Sequence, residues 1–182
     1  MPLVPYSDPG AVTAGDPLPA AYLNTTRANG AWFSEPPQCS VYNSAVQSVP
    51  DSTVTAMLCP SESLDNNGMH ISSVVTPPPA NTSRITAIAA GRYTFTGTAL
   101  FAIDGTGTGM RRLTFRLNGT TEYDLVQVAA VSTLSTVILS ASRTFTLAIS
   151  DYAEMTVYQN SGGALNVTAL AFEAILVSTT PA

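Results

Sequence analysis

From residue 92 to the end of the chain, apolar and polar positions alternate with the period of a β-strand. Arg111-Arg112-Leu113-Thr114-Phe115-Arg116-Leu117 alternates almost strictly and stops at Asn118-Gly119, a hairpin signal. Segment 92–101 is a long strand with its apolar side chains largely on alternate positions. Further strands are predicted over 122–130, over 136–139 and 143–149 as a pair, over 155–158 and over 169–177. Before residue 92 the signals are shorter. Segments 39–42 and 53–58 read as strands around the Pro50-Asp51 turn, and 60–83 reads as loop. Within it Asp65-Asn66-Asn67-Gly68 is a turn and Pro77-Pro78-Pro79 is stiff and extended. Eight to ten short strands with regular turns predict an all-β, antiparallel sandwich or barrel.

The alternation also assigns faces. Leu113, Phe115 and Leu117 point one way, and Arg112, Thr114 and Arg116 the other. Phe145, Leu147 and Ile149 oppose Thr144, Thr146 and Ala148, and Phe172, Ala174 and Leu176 oppose Glu173, Ile175 and Val177. The first set of each strand is assigned to the core, where a fully buried large apolar side chain contributes about 1.5–3 kcal/mol.

Residues 1–37 follow a different pattern and hold seven of the thirteen prolines. One short helix is expected there. Asp16 can cap it, Pro17 suits its first position and Gly30 follows its end, leaving about two turns between them. So short a helix is unstable alone, so the arm is expected to order on a partner and to add little to the core. Leu18, Tyr22, Leu23, Trp32 and Phe33 are its candidate anchoring side chains. The chain therefore divides into an arm, 1–37, and a β domain, 38–182. The first residues lack the basic region and apolar run of a secretory signal, and no segment reaches the ~18 apolar residues of a membrane span.

Charge narrows the function. Only 10% of the 182 residues are charged, all seven basic residues are arginine, and the net charge is −5. Such a chain is a poor nucleic-acid binder, since phosphate affinity comes mainly from Lys and Arg. A lone sandwich so poor in charge would also expose extensive Ala/Thr/Val surface, which predicts self-association.

Candidate chemistry is sparse. His70 is the only histidine and no serine-elbow motif accompanies it, so no catalytic residue is assigned and the chain is read as a non-enzyme. Cys39 and Cys59, the only cysteines, read better as small buried hydrophobes than as a disulfide, and are too few for a zinc site. Asp104-Gly105-Thr106-Gly107-Thr108-Gly109 lacks the lysine of a phosphate loop and leads into a strand. It reads as a flexible connection, with an ion held by Asp104 and loop carbonyls as a minor alternative. No cofactor and no metal ligand are assigned.

Several motifs carry a resemblance. Gly91-Arg92-Tyr93-Thr94-Phe95 resembles the Gly-x-Tyr-x-Phe strand of C1q-like domains, the jelly-roll family related to tumour necrosis factor. Leu147-Ala148-Ile149-Ser150-Asp151 is similar to that family's Leu-x-x-Gly-Asp junction, with Ser150 where Gly is usual, and Phe172 to Leu176 is similar to its last strand. Pro36-Pro37-Gln38-Cys39, Asp65-Asn66-Asn67-Gly68-Met69-His70, Leu117-Asn118-Gly119-Thr120 and 158–167 resemble the C1q-like domains of tailed-bacteriophage virion proteins. Ala14 to Asn24 resembles the segment that precedes them. Together the motifs span roughly residues 10–178.

The resemblance implies a jelly-roll sandwich, a homotrimer, and a virion structural protein anchored by residues 1–37 to the tail or the major capsid protein. A minor tail or tail-tip protein meeting the host surface is favoured slightly over a capsid decoration protein or head fibre. A module binding host cell-wall glycan, through loops 60–83 and 160–167, is the other alternative. The resemblance also implies that strands 111–117, 143–149 and the last strand lie side by side in the sheet facing the trimer axis. Arg112, Thr114, Arg116, Thr144, Thr146, Glu173 and Ile175 would then line the subunit interface, with Glu173 pairing with Arg112 or Arg116, within or between chains.

Overall fold

A computed structural model describes residues 17–72, 82–130 and 136–179, with Gly10 and Gly15. Asp16, Pro77-Pro78-Pro79 and the side chain of Phe33 lie outside the described residues. One helix and eleven strands are formed: α1 (Ala20–Ser34), β1 (Gln38–Asn43), β2 (Gln47–Val49), β3 (Thr55–Ala56), β4 (Ser61–Asp65), β5 (Arg84–Thr86), β6 (Gly91–Phe101), β7 (Met110–Leu117), β8 (Thr121–Ala129), β9 (Val137–Leu147), β10 (Tyr152–Gln159) and β11 (Leu165–Thr179).

All the pairings are antiparallel, in two sheets. The first runs β4-β1-β11-β6-β9, with β2 also on β11. The second runs β3-β10-β7-β8, with β5 also on β10. They face each other across one core, a jelly-roll sandwich. Its centre is aromatic: Phe95 stacks on Phe172 with centroids 5.8 Å apart, and Phe115 lies 5.4 Å from Phe172. Gly97 makes room for this cluster, since a Cβ there would meet Met155 Sδ and the Phe115 ring at 2.8 Å. The β7–β8 hairpin turns at Asn118 (φ 49°) and Gly119 (φ 71°), consecutive left-handed residues that match the twist of the strands.

Side-chain direction follows the alternation in most places. Leu113, Phe115, Phe145, Leu147, Phe172, Ala174 and Leu176 are buried, and Leu117 is half-buried against the core. Ile149 departs from it: β9 ends at Leu147, and Ile149 is exposed in the following turn. Segments 136–139 and 143–149 belong to one continuous strand, and the second half of the expected strand 53–58 is irregular. Three strands fall where loop was expected or nothing was assigned, β2, β4 and β5. β4 has no apolar alternation because it is an edge strand, held by its ladder to β1.

The larger correction is sheet membership. β7 belongs to the second sheet, and β6 lies between β11 and β9 in the first. A strand packing on the core from either side shows the same period of two. Alternation therefore identifies the core face but not the sheet.

The helix also differs from expectation. It has 15 residues and passes through Gly30. Trp32, in its last turn, is buried and belongs to the domain's core cluster. Burial of so large a side chain outweighs the ~1 kcal/mol cost of one helical glycine.

Register defines two ends of the sandwich. Gln38 pairs with Ile175 and Gly91 with Thr179, so the arm enters at the end where β11 finishes. Leu176 N–H donates to Pro37 O (2.9 Å), Gln38 N–H donates to Asn66 Oδ1 (2.9 Å) and Asn66 Nδ2 donates to Pro36 O (3.0 Å). The Asp65–Gly68 turn thus clamps the chain where it becomes β1. The loops 102–109 and 160–164 lie at the far end, where β6 finishes and β11 begins.

Candidate assembly surface

The outer faces of the two sheets differ in chemistry. On the second sheet the register aligns Arg84, Glu154, Arg116 and Glu122 across four strands. Glu154, almost fully buried, lies 2.9 Å from Arg116 and 3.4 Å from Arg84, and accepts from Ser83 Oγ at 2.7 Å. Arg112 pairs with Asp124 (3.3 Å), and Thr114 Oγ1 donates to the same carboxylate (3.2 Å). Arg84 covers the Tyr152 ring at 4.0 Å. Each arginine of this face has a carboxylate partner.

The outer face of the first sheet is built from hydroxyls and aliphatic side chains. Threonines on β6 meet β9 in a ladder: Thr94 with Thr144 (2.8 Å), Thr96 with Ser142 (3.2 Å) and Thr98 with Ser140 (3.1 Å). Tyr42, Leu64, Ile138, Ile175 and Val177 stand on this face with 40–65% of their surface exposed. Glu173 is its one acid among the described residues, held only by Ser40 Oγ, which donates at 3.0 Å. It lies in a depression of about 270 Å³ lined by Gln38, Ser40, Leu64, Thr94, Thr96 and Ile175 over Cys39 and Ala174. Nearly free of charge, aliphatic and patterned by short hydroxyls, this face is suited to being covered.

The seven residues named from the sequence for one interface are divided by the fold. Thr144, Thr146, Glu173 and Ile175 share the outer face of the first sheet, all exposed. Arg112, Thr114 and Arg116 are on the second sheet, across the core from Glu173. Within the chain, the expected pairing of Glu173 with Arg112 or Arg116 is therefore corrected: those arginines face Asp124 and Glu154. Sequence reading missed the Thr/Ser ladder and the part played by β6, whose outward threonines alternate visibly with its core residues.

The arm's candidates also divide. Leu18 and Leu23 are exposed and Tyr22 is half-buried, whereas Trp32 is spent on the domain's own core. Of the two loops proposed for glycan, the Asp65–Gly68 turn of the first lies at the arm end and 160–164 at the far end, and residues 73–81 lie outside the described residues.

The remaining candidates are structural in their geometry. His70 is buried, with Nδ1 2.9 Å from Glu62 Oε1 and Nε2 3.2 Å from Thr82 O. Cys39 and Cys59 are free and buried, and burial pushes the Cys59 thiol up to about 12. Asp104 is occupied by the chain itself rather than poised for an ion. It accepts from Thr106 N (3.0 Å), Thr106 Oγ1 (2.8 Å), Thr108 N (3.3 Å) and the buried Arg111 guanidinium (2.7 Å). Burial pushes its carboxyl up, but these hydrogen bonds outweigh that and hold it below the ordinary value. Among the described residues no three His, Cys, Asp or Glu side chains converge as a metal site, and no helix is long and apolar enough to cross a membrane.

No protein-family model matches this chain, and no curated protein matches it in sequence. Solved structures do match in fold. The globular domain of zebrafish complement 1qA protein is 16% identical, with a TM-score of 0.53 over 79% of this chain and 99% of that one. PRD1 vertex protein P5 is 14% identical, with a TM-score of 0.52 over 78% of this chain and 97% of its own. Eiger TNF from S. frugiperda is 11% identical, with a TM-score of 0.50 over 80% and 96%. The architecture is the C1q/TNF jelly-roll sandwich.

Proposed function

We propose that this C1q/TNF-like jelly roll is a trimeric structural module of a bacteriophage particle, attached through its N-terminal arm, with the loops 102–109 and 160–164 projecting outward. The observation that carries this reading is the contrast between the two outer faces. One pairs each of its arginines with a carboxylate, and the other is an exposed, hydroxyl-and-aliphatic surface whose only charges among the described residues are Glu173 and Arg92. Closing three such faces on one another covers them all without exposing a new edge. The arm leaves from the end opposite those loops, as attachment at one end and projection at the other require. The motif resemblance to tailed-phage virion proteins supports the viral assignment. So does the likeness in fold to the vertex protein of phage PRD1.

Two positions on the particle suit this module. As a minor tail or tail-tip protein it meets the host surface. As a capsid decoration protein or head fibre its arm lies on the capsid lattice, a reading the likeness to a vertex protein favours. Copy number separates them: a few trimers per particle means tail, and dozens mean capsid. The trimer itself is tested by sedimentation of the full chain, expected to give three times the 18.9 kDa protomer. A stable monomer at micromolar concentration sinks the proposal.

A further inference from the structure

Glu173 and Arg143 form no ion pair among the described residues, and they stand at the same height. The register Ser40–Glu173–Thr96–Ser142 crosses the first sheet in one row, and Arg143 is the next residue along the edge strand β9. One residue along a strand is about 3.3 Å. The two side chains leave the sheet on opposite faces. Glu173 points outward into its depression, while Arg143 turns toward the second sheet and stacks on Tyr123 of β8 at 4.3 Å, at the open edge of the sandwich. They cannot meet within a chain.

We infer that Arg143 of one copy pairs with Glu173 of the next, which rests on the trimeric reading above. In a ring closed by rotation, two different patches meet: the face of one copy against the edge of its neighbour. Rotation about an axis running along the strands preserves height, so it brings the Arg143 edge of one protomer to the Glu173 row of another. Charge selects the same pair. Arg84, Arg111, Arg112 and Arg116 each already have an acid. Of the arginines that form no ion pair among the described residues, Arg27 is on the arm helix. Arg92 is four residues along β6 from the Glu173 row, some 13 Å away at the strand rise. Only Arg143 is level. The hydroxyls of Ser40, Thr94 and Thr96 around Glu173 supply acceptors for the guanidinium's remaining N–H groups.

Sedimentation of the full-length chain tests the pairing. Glu173→Arg and Arg143→Glu should each raise the concentration at which the trimer dissociates by about tenfold or more, and the double variant should restore it. Because Arg143→Glu also removes the stack on Tyr123, a second measurement is made on Glu173→Cys/Arg143→Cys with a short bis-maleimide. It should give a covalent trimer, and neither single-cysteine variant should. If the wild-type chain sediments as a monomer, the assembly reading falls and this pairing with it. If the wild-type chain is a trimer but the reversals leave it unchanged and no cross-link forms, the pairing alone is overturned.

Discussion

Ser150 is held at φ 72°, in the turn that joins β9 to β10. That turn is closed by Asp151 N–H donating to Ala148 O and by Ala148 N–H donating to the Asp151 carboxylate. A side chain in the left-handed region costs roughly 1–2 kcal/mol, partly offset for glycine by the greater freedom of the unfolded chain. Ser150→Gly should therefore stabilise the fold by about 0.5–1 kcal/mol in urea unfolding; a loss of stability would mean the turn relaxes around serine. Asp104 makes the converse case. Asp104→Asn leaves the Arg111 guanidinium buried without its counter-ion, at a cost of about 3–5 kcal/mol near neutrality. Since the native carboxyl titrates below its unfolded value, the wild-type advantage is complete well above about pH 4. It is lost as pH falls through the depressed native value. Unfolding of both proteins across acid pH checks this: a difference that stays constant there would show that Asp104 acts through shape alone. The glycine preference at position 150 could be read from the sequence motif, but the Asp104–Arg111 pair could not. Arg111 falls on the core-facing parity of its strand, with Leu113 and Phe115, but no local period shows that the loop 102–109 folds back to bury it and supplies the acid.

At the scale of elements, alternation in β6, β7 and β11 made the core face legible, because both sheets must turn their apolar side inward. Sheet order was not legible, since it depends on which edges meet through long connections and not on any local period. The helix shows the same limit: Gly30 looks like its end, yet tertiary burial of Trp32 carries it to Ser34. This divides the arm into a docked part and a presented part. Trp32→Ala should destabilise the domain by about 3–5 kcal/mol. Leu18→Asp and Leu23→Asp should leave the melting temperature and sedimentation unchanged while abolishing incorporation into particles. If the leucine variants are incorporated normally, the attachment surface is elsewhere.

For the whole molecule, the informative asymmetry is between faces rather than between sequence segments. Both sheets are rich in threonine, and overall composition describes them equally. Folding concentrates three arginines and three carboxylates on one outer face and leaves one carboxylate, Glu173, and one arginine, Arg92, on the other. Low overall charge was visible in the sequence and pointed to association. Which sheet is the candidate for association became legible only once β7 was separated from β9 and β11. With β7 in the second sheet, the arginines move away from the candidate interface and the Thr/Ser ladder of β6 and β9 takes their place.

Because β1 starts and β11 finishes at one pole, the loops 102–109 and 160–164 at the opposite pole lie inside the chain. As a display scaffold the molecule therefore offers its handle in these loops, away from the end proposed for attachment. A short epitope inserted between Gly163 and Ala164, both exposed, lengthens a surface loop at little entropic cost. The tagged protein should melt and sediment as the untagged one does, and should bind antibody on intact particles. The same epitope placed in the Asp65–Gly68 clamp should be masked or disruptive. Equal antibody access at both sites would show that the particle does not cover the arm end.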